Sequence, residues 1–332
     1  MHSFGYARPR DLEAALRLAA DPGARFIAGG TNLIDLMKGG VEEPARLIDI
    51  SRLGGLAQIQ ELPDGGMRIG ALATNADTAA HPLIRERYPL LAQAILSGAS
   101  PQLRNMATTG GNLLQRTRCS YFYDVGFPEC NKREPGSGCA ALRGFNRNHA
   151  ILGASERCIA VGPSDMCVAL TALEATVHIR SAQAGRQVPI GDFQRLPGET
   201  PQRDTTLAPG EMIVGVDLPG SEFARHSHYL KIRDRASYAF ALVSVAAGLH
   251  LEDGVVRDVR VVVGGVAAKP WPVPEARQML AGRPLDASSL EALARVAVQG
   301  AKPFEGNAFK VALMQRAIVR AVTLAAAAGM PA

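Results

Sequence analysis

The chain has 332 residues, 47% hydrophobic and 20% charged, enough for more than one compact unit with its own core. Its net charge of +5 is spread along the chain without the dense basic stripe of a nucleic-acid interface, and no apolar run reaches the ~20 residues of a membrane span. Five cysteines, odd in number and clustered in a long chain, exclude the disulfide scaffold of a small secreted domain.

The opening "MHSFGYARPRDLEAAL" has no cationic start followed by an apolar core. On its own sequence the chain is expected in the cytoplasm, and co-export with a signal-bearing partner would place it in the periplasm. After the extended "SFGYARP", the apolar spacing of 10–20 predicts an amphipathic helix. "ARFIAGGTNLIDLMKGG" predicts a short strand over Phe26–Ala28, a Gly-Gly turn and a helix opening near Thr31 and Asn32. Residues 45–51 predict a second strand, and 67–74, preceded by "PDGG", one arm of a hairpin. A helical stretch follows, broken at Pro82 and again around Pro89, and then "LRNMATTGGNLLQRT" repeats the Thr-Gly-Gly-Asn theme.

Residues 116–158 are rich in Gly, Pro, Asn and Arg and show no apolar period. Beyond them, "CIAVGPSDMCVALTALEATVHIRS" predicts strand, turn, helix and strand, and 206–219 a turn and a strand. From about 221 the chain is strand-rich, with Asp253-Gly254 as a hairpin turn, and its last sixty or so residues are helical. The fold class is α+β.

Three features could carry chemistry. Gly29 and Gly30 lack Cβ atoms, so backbone amides there can approach an anion, with Thr31 and Asn32 as side-chain donors at a helix start. Gly110, Gly111 and Asn112 offer the same chemistry, and two such turns fit a ligand with two phosphates. Neither matches G-x-G-x-x-G or a P-loop.

Cys119, Cys130, Cys139 and Cys158 form the second feature, spaced C-x10-C-x8-C-x18-C. Structural zinc shows at least one tight C-x2–4-C knuckle, absent here, whereas an iron–sulfur cubane accepts thiolates from widely spaced loop positions. Seven Lys or Arg against four acids over 116–158 would offset the negative charge of a thiolate-bound cluster. Zinc and two unrelated pairs of free cysteines remain open on spacing alone. Cys167, among apolar residues of a predicted helix, reads as a small packed hydrophobe.

The third feature is a scatter of single polar residues. Asp165 reads as a helix cap and Lys231 as a solvated lysine on a strand. His149 is the histidine near the cysteines, and no Ser-His-Asp or paired-carboxylate set supports hydrolysis.

"FIAGGTNLIDLMK", "LIDIS", "IGALAT", "MATTGGNLLQRTRC", "GEMIVGVDLP" and "LKIRDRASYAFALVSVA" together resemble the FAD-binding subunits of the molybdenum hydroxylases, the xanthine dehydrogenase and aldehyde oxidoreductase family. The likeness runs over nearly the whole chain. It implies an FAD-binding domain over 1–220, built from α+β subdomains at about 1–55 and 56–220, and a C-terminal domain of hairpins and helices over 221–332. The cysteine-bearing insert, about 116–158, resembles that of bacterial aldehyde oxidoreductases with an additional [4Fe–4S] cluster in this subunit. 4-Hydroxybenzoyl-CoA reductases carry a comparable insert.

By this resemblance Phe26, Ile27, Ala28, Gly29, Gly30, Thr31, Asn32, Leu33 and Ile34 wrap the FAD pyrophosphate, which Thr108, Gly111 and Asn112 meet from the second turn. Asp165, Ile213 and Lys231 match positions near the flavin, and Cys119, Cys130, Cys139 and Cys158 match the cluster ligands. Around Ser97–Ala99, where xanthine-oxidising relatives place an aromatic, this chain has Gly98.

The implied partners are a large subunit with the molybdenum cofactor, a small [2Fe–2S] subunit and an external electron acceptor. The implied role is electron transfer, with substrate oxidised on another chain. The alternatives are a stand-alone flavin oxidase of the vanillyl-alcohol type, although little room is left for its longer substrate cap, and the FAD and [4Fe–4S] subunit of a complex like 4-hydroxybenzoyl-CoA reductase or xanthine dehydrogenase. A zinc-loop interaction protein is a third class.

Overall fold

In the computed structural model, residues 1–328 are described. Three sheets organise the chain. The first is parallel, with Arg46–Asp49 between Gly5–Ala7 and Ala24–Ile27. Helix Leu12–Leu18, capped by the Asp11 carboxylate, packs Ala15 and Leu16 into the core beneath it.

The second sheet is antiparallel, in the order Ile59–Glu61, Met67–Gly70, Met212–Leu218, Thr176–Arg180, Gly185–Pro189. Its central strands bury Met67, Ile69, Val177, Val216 and Leu218 against a helical layer. That layer is cut at both expected prolines, giving Asn75–Ala80, Pro82–Arg87 and Pro89–Ser97, because proline opens a helix readily but cannot continue one. Helix Asp165–Ala172 completes the core. The strand expected at "CIAV" is absent. Ala150 donates to the Ile159 carbonyl, but Ser155 and Cys158 form only an isolated bridge and no neighbouring strand continues the ladder.

The third sheet runs Trp271–Pro272, Val255–Gly264, Val243–Glu252, His226–Ile232. Asp253 and Gly254, at φ +49° and +77°, form the expected two-residue hairpin turn, in the left-handed region that such a turn requires. Strand Val243–Glu252 is buried on both faces, with alternating side chains serving two cores. Ala246 meets the core of the second sheet, while Val245, Ala247 and Leu249 meet helices Ala287–Ala297 and Phe309–Ala327. No described helix is long and apolar enough to cross a membrane.

One buried charge ties the last helix to the insert. Lys310 is fully buried and its Nζ donates to the carbonyls of His149 (2.9 Å) and Gly265 (2.6 Å). Burial, with the Arg147 guanidinium adding to it, pulls the amine down from 10.5 to about 7. Between these values the unfolded chain holds a proton that the folded chain lacks, so this group makes stability rise with pH across the window. Thermal midpoints taken from pH 7 to 10 are expected to show that rise in the native chain and a flatter profile in Lys310→Met. Equal slopes in the two would contradict the assignment.

Candidate functional site

The two glycine turns meet. A Cβ on Gly29 would sit 1.7 Å from the Met106 carbonyl oxygen, so only glycine allows the turns to touch. Gly30 lies at φ +70°, which glycine adopts freely. Every residue from Phe26 to Ile34 is half-buried, at once supported from below and open from outside.

The turns differ in what they present. Among the described residues, the amides of Gly29, Gly30, Thr31 and Asn32 donate to no acceptor. In the second turn the amides are used internally: Thr109 to Ala73, Gly110 to Ala71, Gly111 to the Thr108 hydroxyl and Asn112 to the Thr108 carbonyl. The expectation of equal chemistry is therefore corrected. The first turn offers a row of free donors suited to an anion, and the second is a fastening that holds it in place.

From the second turn a polar chain leads inward. Ser164 Oγ donates to Asn112 Oδ1 at 2.6 Å and caps helix Asp165–Ala172 by accepting from the Cys167 amide. The adjacent Asp165 forms an ion pair with Lys231 at 2.7 Å, with the two side chains 10% and 4% exposed. Tyr229 donates its hydroxyl to the other carboxylate oxygen at 2.7 Å, and burial, reinforced by that carboxylate, raises the phenol well above its usual range. Lys231 and Arg233 both donate to the Ser97 carbonyl. A Cβ on Gly98 would lie 3.2 Å from Asp165 Oδ2, so the small residue leaves space for the carboxylate.

The four insert cysteines line a single pocket. Among the described residues no three Cys, His, Asp or Glu side chains converge closely enough to hold one metal ion, and all five thiols are free. The sulfurs thus surround a space instead of meeting at a point. The amides of Tyr121 and Phe122 face Cys119, those of Ala141, Leu142 and Ile159 face Cys139, and the Ala160 amide lies 3.4 Å from Cys158 Sγ. Without a cation at the sulfurs, burial pushes the Cys119 thiol up to about 12 and raises Cys139 and Cys158 as well. The charge of Lys132 opposes that rise at Cys158.

Asn131 closes the ten-residue loop from Cys130 to Cys139. Its Oδ1 accepts from the Gly136 and Gly138 amides, and its Nδ2 donates to the Arg157 carbonyl beside Cys158. Arg133 donates to the carbonyls of Phe122 and Asp124, which ties that loop to the segment after Cys119. Arg116 joins the insert to the first turn: its amide donates to Asn32 Oδ1, and its guanidinium reaches Glu42 at 2.6 Å and Asp204 at 2.9 Å.

Known proteins place this geometry. Residues 2–221 match the FAD binding domain in molybdopterin dehydrogenase, and residues 228–325 the CO dehydrogenase flavoprotein C-terminal domain. The chain belongs to the FAD-binding subunits of the molybdenum hydroxylase family. It is 50% identical, over 96% of each chain, to the aldehyde oxidoreductase FAD-binding subunit PaoB of Escherichia coli. It is 28% identical, over 85% of this chain and 83% of the relative, to the glyceraldehyde dehydrogenase medium chain of Sulfolobus acidocaldarius. Among solved structures, quinoline 2-oxidoreductase from Pseudomonas putida 86 covers 99% of each chain with a TM-score of 0.76 at 25% identity. Reconstituted CO dehydrogenase from Oligotropha carboxidovorans shares the fold, with a TM-score of 0.78 at 23% identity over 98% and 99% of the two chains.

This FAD-binding subunit of an oxidoreductase family gathers some expected residues and leaves others apart. The Phe26–Ile34 stretch touches the second turn where Gly29 meets Met106, and Ser164 bonds Asn112 of that turn beside Asp165, which pairs with Lys231. The solvated-lysine reading of Lys231 is corrected: it lies on an edge strand, yet Asp165 holds its amine in the interior. Ile213 stays in the sheet core opposite Ile179 and takes no part in the polar chain. Cys167 packs as a small hydrophobe, its thiol raised to about 11 by burial. Sequence reasoning missed Asn131 and Tyr229 and counted Arg116 and Arg133 only as offsetting charge, because their partners are distant in the chain or are backbone groups that carry no sequence signal.

Two substitutions check this geometry. Gly29→Ala is expected to weaken flavin retention about tenfold or more, roughly 1.4 kcal/mol, while Gly54→Ala, with open space around its Cβ, leaves it unchanged. Lys231→Met, which strands the buried Asp165 carboxylate, is expected to lower unfolding free energy by roughly 3–5 kcal/mol in denaturant titrations. An unchanged denaturation midpoint would refute the buried pairing.

Proposed function

We propose that the chain is the electron-transfer subunit of a heteromeric molybdenum-containing aldehyde oxidoreductase, holding FAD and a [4Fe–4S] cluster. The observation that carries this reading is the convergence of all four insert cysteines on one cavity, in a family whose members bind FAD. The PaoB relative, an aldehyde oxidoreductase subunit by name, supports the aldehyde class.

FAD and the cluster, when bound, supply reversible electron uptake and release; the chain's own residues position and tune them. The free amides of Gly29, Gly30, Thr31 and Asn32 would hold the pyrophosphate, with the remainder of Phe26–Ile34 supporting that row. Thr108, Gly111 and Asn112 would close the site from the second turn. Asp165, Lys231 and Ile213 would lie toward the flavin, the first two as a pair whose charges cancel. Cys119, Cys130, Cys139 and Cys158 would hold the cluster, in a pocket whose amides stabilise thiolates and whose buried Lys132 offsets their charge.

A cubane suits this cavity because it needs its four thiolates spread around a body, an arrangement a single zinc ion does not use. The division proposed for the chain follows the same logic: a flavin-holding region over 1–220 containing the insert at about 116–158, and a covering domain over 221–332. Substrate oxidation then falls to a molybdenum-cofactor large subunit, with a [2Fe–2S] small subunit between it and the flavin and an external acceptor beyond.

The test is the ultraviolet–visible spectrum of anaerobically purified protein before and after dithionite, with acid-labile sulfide measured on the same sample. Flavin bands over a broad shoulder near ~400 nm and about four sulfides per chain are expected, and a Cys139→Ala chain is expected to lose sulfide but keep flavin. A clean flavin spectrum without sulfide, in protein never exposed to air, would refute the cluster.

A further inference from the structure

One buried side chain beside the cysteine cavity has no role in the function described so far. His149 is 5% exposed, and its Nε2 lies 3.1 Å from Cys119 Sγ. Its other ring nitrogen, Nδ1, is buried with no hydrogen-bond partner. The two nitrogens together decide the tautomer. A metal-bound thiolate can only accept, so the nitrogen facing it must carry the proton. Placing the proton on Nδ1 would instead bury an unpaired N–H and set a lone pair against the sulfur, the more costly arrangement.

The ring is also held firmly. The His149 amide donates to the Asn146 carbonyl at 3.0 Å, and its carbonyl accepts from Asn307 Nδ2 at 3.2 Å and Lys310 Nζ at 2.9 Å. Asn307 and Lys310 are fully buried and belong to the C-terminal region, far from the insert in sequence. Asn307 Nδ2 also reaches the Ala150 carbonyl, while the Ala150 amide pairs with Ile159 next to Cys158. The C-terminal region therefore fixes the main chain from which the imidazole reaches Cys119.

We propose that His149 is a positioning residue for the Cys119 thiolate, donating Nε2–H to its sulfur and raising the reduction potential of the bound cluster. This rests on the cluster reading above. A hydrogen bond to a ligating sulfur withdraws charge from the cluster and so favours the added electron. Of the sulfur donors described, this is the one supplied by a side chain that can be removed without altering the backbone.

The test is an EPR-monitored redox titration of the full-length protein, with iron and sulfide measured per chain, for the native chain, His149→Phe and His149→Gln. His149→Phe is expected to keep its iron and sulfide and to shift the midpoint negative, changing the oxidised-to-reduced ratio at fixed potential about tenfold, roughly 59 mV for one electron. His149→Gln, which can still donate, is expected to recover part of the shift. An unchanged midpoint in His149→Phe would overturn the proposal while leaving the cluster in place. A native chain with flavin but neither iron nor sulfide would overturn the proposal together with the cluster reading. Should His149→Phe lose its cluster, pulsed EPR of the reduced native chain carrying ¹⁵N-histidine decides: a weak coupling to one imidazole nitrogen supports the hydrogen bond. No coupling, or the strong coupling of a directly bound nitrogen, overturns it.

Discussion

The contact between Gly29 and the Met106 carbonyl is the constraint on which the site depends. The first turn leaves the parallel sheet and the second is fastened to Ala71 and Ala73 at the end of the Met67–Gly70 strand. No hydrogen bond is needed where they touch, because the missing Cβ allows backbone to lie on backbone. The consequence is a division of labour. One turn uses its amides to fix the geometry, which leaves the other free to keep its amides unpaired, a state tolerable only where water or an anion can reach them. The half-buried Phe26–Ile34 stretch meets that condition.

The insert is held by a second kind of constraint. With little apolar periodicity to fold it, residues 116–158 are organised by polar side chains that bind backbone. Asn131 closes one loop, Arg133 gathers the carbonyls after Cys119, and Arg116 anchors the insert to Asn32, Glu42 and Asp204. Half-buried ion pairs such as those of Arg116 with Glu42 and Asp204 contribute little net stability, since desolvation offsets much of the Coulombic gain. They do make misplacement expensive, because any other arrangement strands a charge. For a segment that must hold four cysteines around a fixed space, that selectivity matters more than stability.

The legible part of the sequence was the part that repeats. Apolar periods marked the helices and the strands of the third sheet, prolines marked the helix breaks, and Asp253-Gly254 marked its hairpin, since each signal is local. The Gly-Gly turns and the clustered cysteines were also visible as sites. The contacts that give them meaning were not. Lys231 is buried because Asp165, 66 residues away, receives it. The second turn has no free amides because Ala73 and Ala71, just past the Met67–Gly70 strand, accept those of Thr109 and Gly110, and Thr108 accepts those of Gly111 and Asn112. "CIAV" has the composition of a strand and no partner to pair with, since the surrounding insert occupies its flanks with irregular backbone. Long-range partnership is what a single sequence encodes least directly.

The two proposed cofactor sites share one electrostatic device. Beside the cysteine cavity, Lys132 is buried and donates to Asp204 at 2.5 Å; beside the second turn, Lys231 is buried and donates to Asp165 at 2.7 Å. In both places a cation sits close to where electrons would arrive, with a carboxylate already balancing it. A lone buried lysine would favour the reduced carrier so strongly that the electron would be trapped, and a lone carboxylate would repel it. A paired one presents a dipole whose effect falls off quickly with distance, so it can adjust a carrier without dominating it. Backbone amides then provide the finer adjustment at the sulfurs and, as proposed, at the pyrophosphate. A subunit with the proposed task of receiving electrons and releasing them again would need this restraint, and the pairing of Lys132 with Asp204 and of Lys231 with Asp165 would provide it.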